Sequence, residues 1–371
     1  MSVRLWSFLL PVTLWHYYET CLYAPAWNLL VIPMASVLLL CGSAGMAVML
    51  IPCGAGDIMQ SALWKITEWI LLFYEKGSGL LLELPGARWI PGRPRLWQIA
   101  CYYGVLLFYL WRKRKEKKEG GQTGKQVVRQ LVTAGILLIL LGIPKWKRGQ
   151  MELTMLDVGQ GDGLVLRTPE GNCFLVDGGS TNKSGVGQYQ VLPYLKNQGI
   201  SQIDGIFISH TDQDHISGVQ EILEMAVKKL NSVKLGCLYL PEWENPPAAW
   251  EKLKQTAKAA GIPVRTLKEG DCLNAGKLQL QIIAPAVSAS GADVNEDGMV
   301  IKVKYEEFLG LLTGDIGEET EKKLLELGML EDVDFLKVGH HGSHYSTCQQ
   351  FLDTVRPEYA VISCSSTNTY G

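Results

Sequence analysis

The chain has 371 residues, of which 47% are hydrophobic and 19% charged, and its formal net charge is −2. That length allows two or three domains with a full core, and nine scattered cysteines without a CxxC pair exclude a thiolate zinc site and a disulfide framework. The near-neutral total conceals two unlike parts: residues 1–150 carry 17 Lys/Arg against 7 Asp/Glu, and residues 151–371 carry 18 against 30. The cysteines read as mostly buried, inert thiols.

Two domains are expected to meet near Gly149: an apolar, basic membrane region over 1–149 and a globular domain over 150–371. In chain order, residues 5–18 suit either a membrane span or an amphipathic surface helix. Trp27 to Gly56 holds no charged residue and exceeds the ~20 apolar residues that a span needs, even with a kink at Pro33. Residues 58–82 follow Asp57 and carry Lys65, Glu68 and Glu75 at intervals, the pattern of an amphipathic surface or re-entrant helix. A second span is expected over Leu96–Trp111, with aromatic side chains at both ends, and a third over Leu131–Ile143. A buried core helix is the alternative for each. Met1 is not followed by a cleavable signal pattern.

Between the second and third spans, residues 112–129 carry eight Lys/Arg and two Glu, which predicts a cytoplasmic loop. The chain after Pro144 then emerges on the extracellular side, although Lys145, Lys147 and Arg148 pull the other way. This reading describes a multi-pass cell-membrane protein, with the lipid bilayer as a partner.

From residue 151 strand-like and helix-like runs alternate. ELTMLDVG, NCFLVDGG, IDGIFISH, LQLQIIAP, MVIKVKY, FLGLLTGD, VDFLKVGH and YAVISC read as strands. VLPYLKNQG, SGVQEILEMAVKKL, AAWEKLKQTAKAAG, GEETEKKLLELG and TCQQFLDTV read as helices. This is an α/β pattern in which Asp157, Asp177, His210, Asp315 and His340 close strands, gathering polar groups at one sheet edge. In SHTDQDHISG, His210 and Asp212 project to one side, and Asp214 and His215 come from a turn before a helix starting near Ser217. Imidazole with carboxylate suits Zn²⁺ or Mn²⁺ and can serve two adjacent ions. Asp315 is placed to sit between them, His340 or His341 to complete a shell or donate to phosphate, and Asp177 to orient a histidine. Lys337 reads as a buried strand lysine paired with a carboxylate. Phosphate loops of the G-x-x-x-x-G-K or G-x-G-x-x-G type are absent, and no serine has a nucleophile's partners.

With LDVGQGD (156–162), LVDGG, HTDQDH, LLTGD and HHGS (340–343), the chain resembles the metallo-β-lactamase fold, an αββα sandwich with a metal centre along one edge. More narrowly it resembles the ComEC-type DNA-uptake channels of competent bacteria, through LDVGQGD, Asp212 where most relatives have a second histidine, and HHGS. The run APAWNLLVIPMASVLLLCG (24–42) is similar to the end of that family's membrane domain. The resemblance implies two divalent ions, metal ligands at His210, Asp212, Asp214, His215, Asp315 and His340, and catalytic roles at Asp214, His215 and His341. It also implies supporting roles for Asp157, Asp162, Asp177 and Ser343, and weakly for Asn295. DNA and other competence proteins are the partners it implies, with phosphodiester hydrolysis outside the membrane. The family's longer membrane part is missing, so the chain looks like a fragment. A metal-ligand histidine is expected beyond residue 371, which would leave the globular domain truncated at its C-terminus. Two other functions stay open. The acidic charge of residues 151–371 suits a membrane-tethered hydrolase of small phosphoesters or thioesters better than a nucleic-acid enzyme. A metal-deficient structural or interaction module is the third.

Overall fold

The computed structural model describes residues 2–49, 54–118, 123–143, 149–366 and 368. The chain forms two compact units, Met1–Lys145 and Trp146–Gly371.

The first unit is helical: α1 (Ser2–Tyr17), α2 (Ala24–Val48), α3 (Gly54–Glu83), α4 (Leu96–Lys118) and α5 (Thr123–Gly142), with β1 (Thr20–Cys21) antiparallel to β2 (Arg88–Trp89). Leu10 and Leu14 of α1, Tyr102 of α4, and Leu137 and Leu141 of α5 form a small core. Gln98 Nε2 donates to the Leu140 carbonyl at 2.7 Å, and the Tyr74 hydroxyl donates to the Val31 carbonyl at 2.9 Å, tying α4 to α5 and α3 to α2. Among the described residues, α2 is the one helix long and apolar enough to cross a membrane, and the apolar part of α5 is shorter, Val128–Gly142. Leu39 and Leu40 on α2 are 70% and 71% exposed.

Two expectations need amendment here. The uncharged run 27–56 is not one element: α2 ends at Val48, and Gly54–Gly56 belong to the next helix. The basic segment 112–129 is mostly helix, because Arg112–Lys118 continue α4 and Lys125 and Arg129 lie in α5. Lysine and arginine are good helix formers, so a charge run after an apolar helix extends it. Lys145, Lys147 and Arg148, and residues 369–371, lie outside the described residues.

The second unit contains two six-stranded sheets. One runs in the order β3 (Glu152–Met155), β4 (Gly163–Arg167), β5 (Cys173–Asp177), β6 (Gln202–Phe207), β7 (Lys234–Pro241), β8 (Val264–Leu267). The other runs β14 (Tyr359–Val361), β13 (Phe335–Lys337), β12 (Phe308–Leu312), β11 (Val300–Tyr305), β10 (Leu278–Ala284), β9 (Cys272–Ala275). Each sheet begins as an antiparallel meander, β3 to β5 and β9 to β12, and ends in parallel strands.

Alternation explains the stacking. In β10 (LQLQIIA), Leu278, Leu280 and Ile282 are buried while Gln279 and Gln281 are exposed. Those leucines meet Leu164, Leu166, Phe174, Phe207 and Tyr239 of the first sheet in one core. The Phe207 and Tyr239 rings stack there at 4.7 Å. On the outer face of the second sheet, Leu324 of α9 (Glu318–Glu326) and Phe351 and Val355 of α10 (Gln349–Val355) cover Leu311 and Leu336. A π-helical turn (Gly187–Val191) leading into α6 (Leu192–Asn197) joins α7 (Gln213–Val227) and α8 (Ala248–Ala259) beside the first sheet. The result is the αββα sandwich.

Cysteine burial departs from expectation. Among the described residues only Cys173 is buried, while Cys101, Cys272 and Cys364 are exposed. Cys272 lies on an edge strand, where one face remains open to solvent.

Candidate metal centre

The polar residues converge where strands of both sheets end. Asp177 is the last residue of β5, and His210 follows β6. Asp162 immediately precedes β4, Asp315 follows β12 and His341 follows β13. Asp214 and His215 lie in the first turn of α7, which starts at Gln213 instead of near Ser217. Asp212, in extended backbone conformation, occupies the N-cap position. Its side chain makes no capping hydrogen bond, but a carboxylate ahead of a helix complements the dipole of the first turn.

Three overlapping groups have ligand atoms within 4.8 Å of one another: Asp214, His215, Asp315 and His341; His210, Asp212 and Asp214; and Asp162, Asp177 and His215. Asp214 is common to the first two. Asp315, anticipated between two ions, lies in the first group with Asp214, His215 and His341.

Hydrogen bonding sets the proton on each imidazole. The Ser209 hydroxyl donates to Asp177 Oδ2 at 2.7 Å, and its backbone N–H donates to Asp177 Oδ1 at 2.8 Å. With its only proton committed, that hydroxyl can only accept, so His210 Nδ1, 3.1 Å away, carries hydrogen. His215 Nδ1 donates to Asp177 Oδ2 at 2.9 Å, and His341 Nδ1 donates to the Ser363 carbonyl at 2.8 Å. All three Nε2 atoms therefore turn their lone pairs inward. Nε2 of His210 and of His215 are buried without a hydrogen-bond partner among the described residues. His215 Nε2 lies 3.2 Å from Asp315 Oδ2, and His341 Nε2 lies 3.2 Å from both Asp214 Oδ2 and Asp315 Oδ2.

Lone pairs and carboxylate oxygens facing one another at that range repel unless a cation stands among them. Without a metal, protons take that role. Burial works against charge on His341, but Asp214 and Asp315 outweigh it and lift its pKa to about 9. His215 is likewise raised against the pull of burial by Asp315 and Asp177. Asp315 is held well below the usual carboxylate range, the burial penalty being outweighed by His215 and Lys337. His210 is pushed down to about 3 by burial and by the neighbouring His215, so it stays a neutral donor. A divalent ion entering the group fits this donor set and must displace the protons on His215 and His341.

The other anticipated residues divide. Asp162, a member of the third group, is buried in contact with the buried Lys337. Asp157 does not join: its side chain is 94% exposed and pairs with Lys183 at 3.0 Å, because β3 ends at Met155 and the chain turns outward. His340 is half-buried and outside all three groups, with its ring 6.5 Å from that of His341. Both histidines have positive φ, so consecutive side chains diverge and only His341 points inward. Ser343 is buried and accepts from the Tyr345 N–H at 3.3 Å, and Asn295 lies in a turn with its backbone N–H on Asp293.

Ser209 was not anticipated, although it precedes His210 in the same stretch. Ser363 acts through its carbonyl, which leaves no residue-type signal. Around it, the Ser363 hydroxyl donates to the Gly161 carbonyl at 2.6 Å, Ser365 N–H donates to Gln160 Oε1 at 3.1 Å, and Asn368 Nδ2 donates to the His341 carbonyl at 3.2 Å. Ser363 and Asn368 thus hold His341 from behind.

Gly179 fits the turn after β5 against the start of α7. A Cβ there would fall 2.5 Å from Asp214 C, Gln213 O and His215 N, all backbone atoms. Gly179→Ala is expected to cost about 1–3 kcal/mol, read as a lower thermal unfolding midpoint.

Comparison with known proteins gives this geometry a family. A Competence protein family model matches residues 1–116, and a Metallo-beta-lactamase superfamily model matches residues 156–366. ComE operon protein 3 of Bacillus subtilis (strain 168) is 27% identical over 379 residues, covering 97% of this chain and 46% of that protein. Recombination protein 2 of Haemophilus influenzae is 31% identical over 241 residues, covering 64% of this chain and 27% of that protein. The chain spans less than half the length of either relative. Among solved structures, the metallo-beta-lactamase fold protein YhfI from Bacillus subtilis aligns at 16% identity and TM-score 0.33, over 50% of this chain and 70% of that one. With a sheet-edge cluster of histidines and aspartates matched over residues 156–366, the chain belongs to the metallo-beta-lactamase superfamily and carries that domain behind a Competence protein domain.

Proposed function

We propose that the chain is part of a bacterial DNA-uptake protein and that its globular domain hydrolyses phosphodiester bonds of incoming DNA with two divalent ions, Zn²⁺ or Mn²⁺. The convergence of three imidazole Nε2 atoms with the carboxylates of Asp214 and Asp315 carries this reading. His210, Asp212 and Asp214 form one candidate ligand set; Asp214, His215, Asp315 and His341 form the other. Bound there, the ions would supply an activated water and a clamp for phosphate oxygens. The protein's own part is orientation. Asp177 and the Ser363 carbonyl hold His215 and His341 with Nε2 unprotonated for ligation, while burial keeps bulk water from the inner ligands. Asp212 alone of the set is exposed, and it marks the mouth through which a phosphate would approach. The N-terminal unit would lie in the cell membrane as several spans, with the globular domain on the extracellular side. DNA, the bilayer and other competence proteins are the partners in this reading.

The charge of the globular half favours a second reading. Residues 151–371 hold 18 Lys/Arg against 30 Asp/Glu, and two divalent ions offset only part of that excess. A membrane-tethered hydrolase of small phosphoesters would suit such a surface. The deciding experiment uses the full chain in detergent, with metal content measured alongside hydrolysis of bis-p-nitrophenyl phosphate and of single- and double-stranded DNA. Metal-dependent cleavage of DNA supports the first reading. Cleavage of the small diester alone selects the second. A chain that binds no metal and cleaves neither is a structural or interaction module.

A further inference from the structure

Lys337 has no role in the ligand sets above, yet among the described residues it is the one lysine or arginine that is buried, and it lies among their carboxylates. It lies at the end of β13 and is 3% exposed. An ammonium has three protons to donate, and here each has an acceptor: the Gly314 carbonyl at 2.7 Å, Asp315 Oδ1 at 3.2 Å, and Asp162 Oδ2 in close contact. With all three donors taken, none is left for a substrate, so a role as phosphate clamp is excluded.

The effect falls on Asp315. Its Oδ1 is turned back to the lysine, and its Oδ2 alone faces the imidazoles, 3.2 Å from Nε2 of His215 and of His341. A carboxylate can bind a cation through one oxygen or chelate it through both, and the difference changes the number of open positions on the ion. Resting on the metal-centre reading above, we propose that Lys337 is a positioning residue that holds Asp315 to one-oxygen ligation, keeping a coordination position open for water or substrate. Asp162 completes the device, because it accepts from the same ammonium and helps fix where that ammonium stands.

Cobalt(II) is the probe, since its visible bands weaken as the ion passes from four or five ligands to six. The full chain is loaded with cobalt alone. Lys337→Met keeps the side chain's length and apolar volume but releases Asp315 Oδ1. Its visible absorptivity per bound cobalt is expected to fall at least about twofold as Asp315 chelates. Removing one member of a buried ion pair strands the other. Lys337→Met/Asp162→Asn, which removes both charges, is therefore made in parallel and is expected to show the same loss. A folded variant of either kind with wild-type bands overturns the inference and leaves the metal centre standing, because a merely structural lysine would lower stability without altering the ion's ligands. If the wild-type chain shows no cobalt bands, the metal-centre reading fails, and the inference falls with it.

Discussion

His215→Ala is expected to lower kcat/KM for bis-p-nitrophenyl phosphate by at least about a thousandfold, about 4 kcal/mol of barrier at 1.36 kcal/mol per decade. The imidazole is fully buried and belongs to two of the three ligand groups. It also bridges them, with Nδ1 on Asp177 and Nε2 facing Asp315. Its loss removes a ligand, deprives Asp177 of one of its donors and leaves a cavity between the sheets' ends. Metal content measured on the same preparation separates lost binding from lost chemistry, and circular dichroism confirms that the sandwich remains. His340→Asn is the control. Asparagine accepts the left-handed backbone found at 340, and the His340 ring lies outside the ligand groups, so turnover is expected to stay near wild type. Equal losses at 215 and 340 would contradict the geometry.

Asp177→Asn is expected to weaken metal binding by about 10- to 100-fold, or about 1.4–2.8 kcal/mol, though Asp177 sits behind the metal's ligands. Its two oxygens accept from the Ser209 N–H, the Ser209 hydroxyl and His215 Nδ1. An amide has one acceptor oxygen and two donor hydrogens, so at least one of these bonds becomes a clash of donors. His215 then loses the partner that fixes its tautomer, and with it the inward-facing lone pair. Competition with a metal-sensitive dye gives the affinity directly. Asparagine is preferred to alanine because φ at 177 is 56°, and alanine would add backbone strain to the loss of the carboxylate. Unchanged affinity in the Asn variant would mean that Ser209 alone orients His215.

Much of this arrangement was legible before the structure, and the parts that were not share a cause. Strands such as β10 and β11 declare themselves by alternation over six or seven residues. β4, β7, β8 and β9 were missed. β4 is five residues following a glycine-rich turn, β8 and β9 are four each, and β7 mixes exposed and buried positions without a clean period. Short pieces of that kind are made strands by their neighbours' hydrogen bonds. At the site, the HTDQDH stretch could be read because residues close in sequence with metal-ligand chemistry are rarely accidental there. The choice between His340 and His341 could not, since it depends on two left-handed residues in a row. Asp157 and Asp162 differ in the same way. They share one glycine-rich run, and the turn sends the first to solvent and the second inward. Residue type proposes a ligand, but the direction of a side chain in an irregular turn is decided by tertiary packing.

The ligand groups draw on residues from 162 to 341, and the clamp on His341 comes from residue 363. The first sheet and α7 supply Asp177, His210, Asp214 and His215, while the second supplies Asp315 and His341. Contacts so distant along the chain carry a large loop-closure cost and form late in folding. Neither sheet alone holds the mixed set of Asp214, His215, Asp315 and His341. Of the two proposed ions, the one in that mixed set would therefore be held tightly only after the two sheets have docked, which would tie its occupancy to the population of fully assembled molecules.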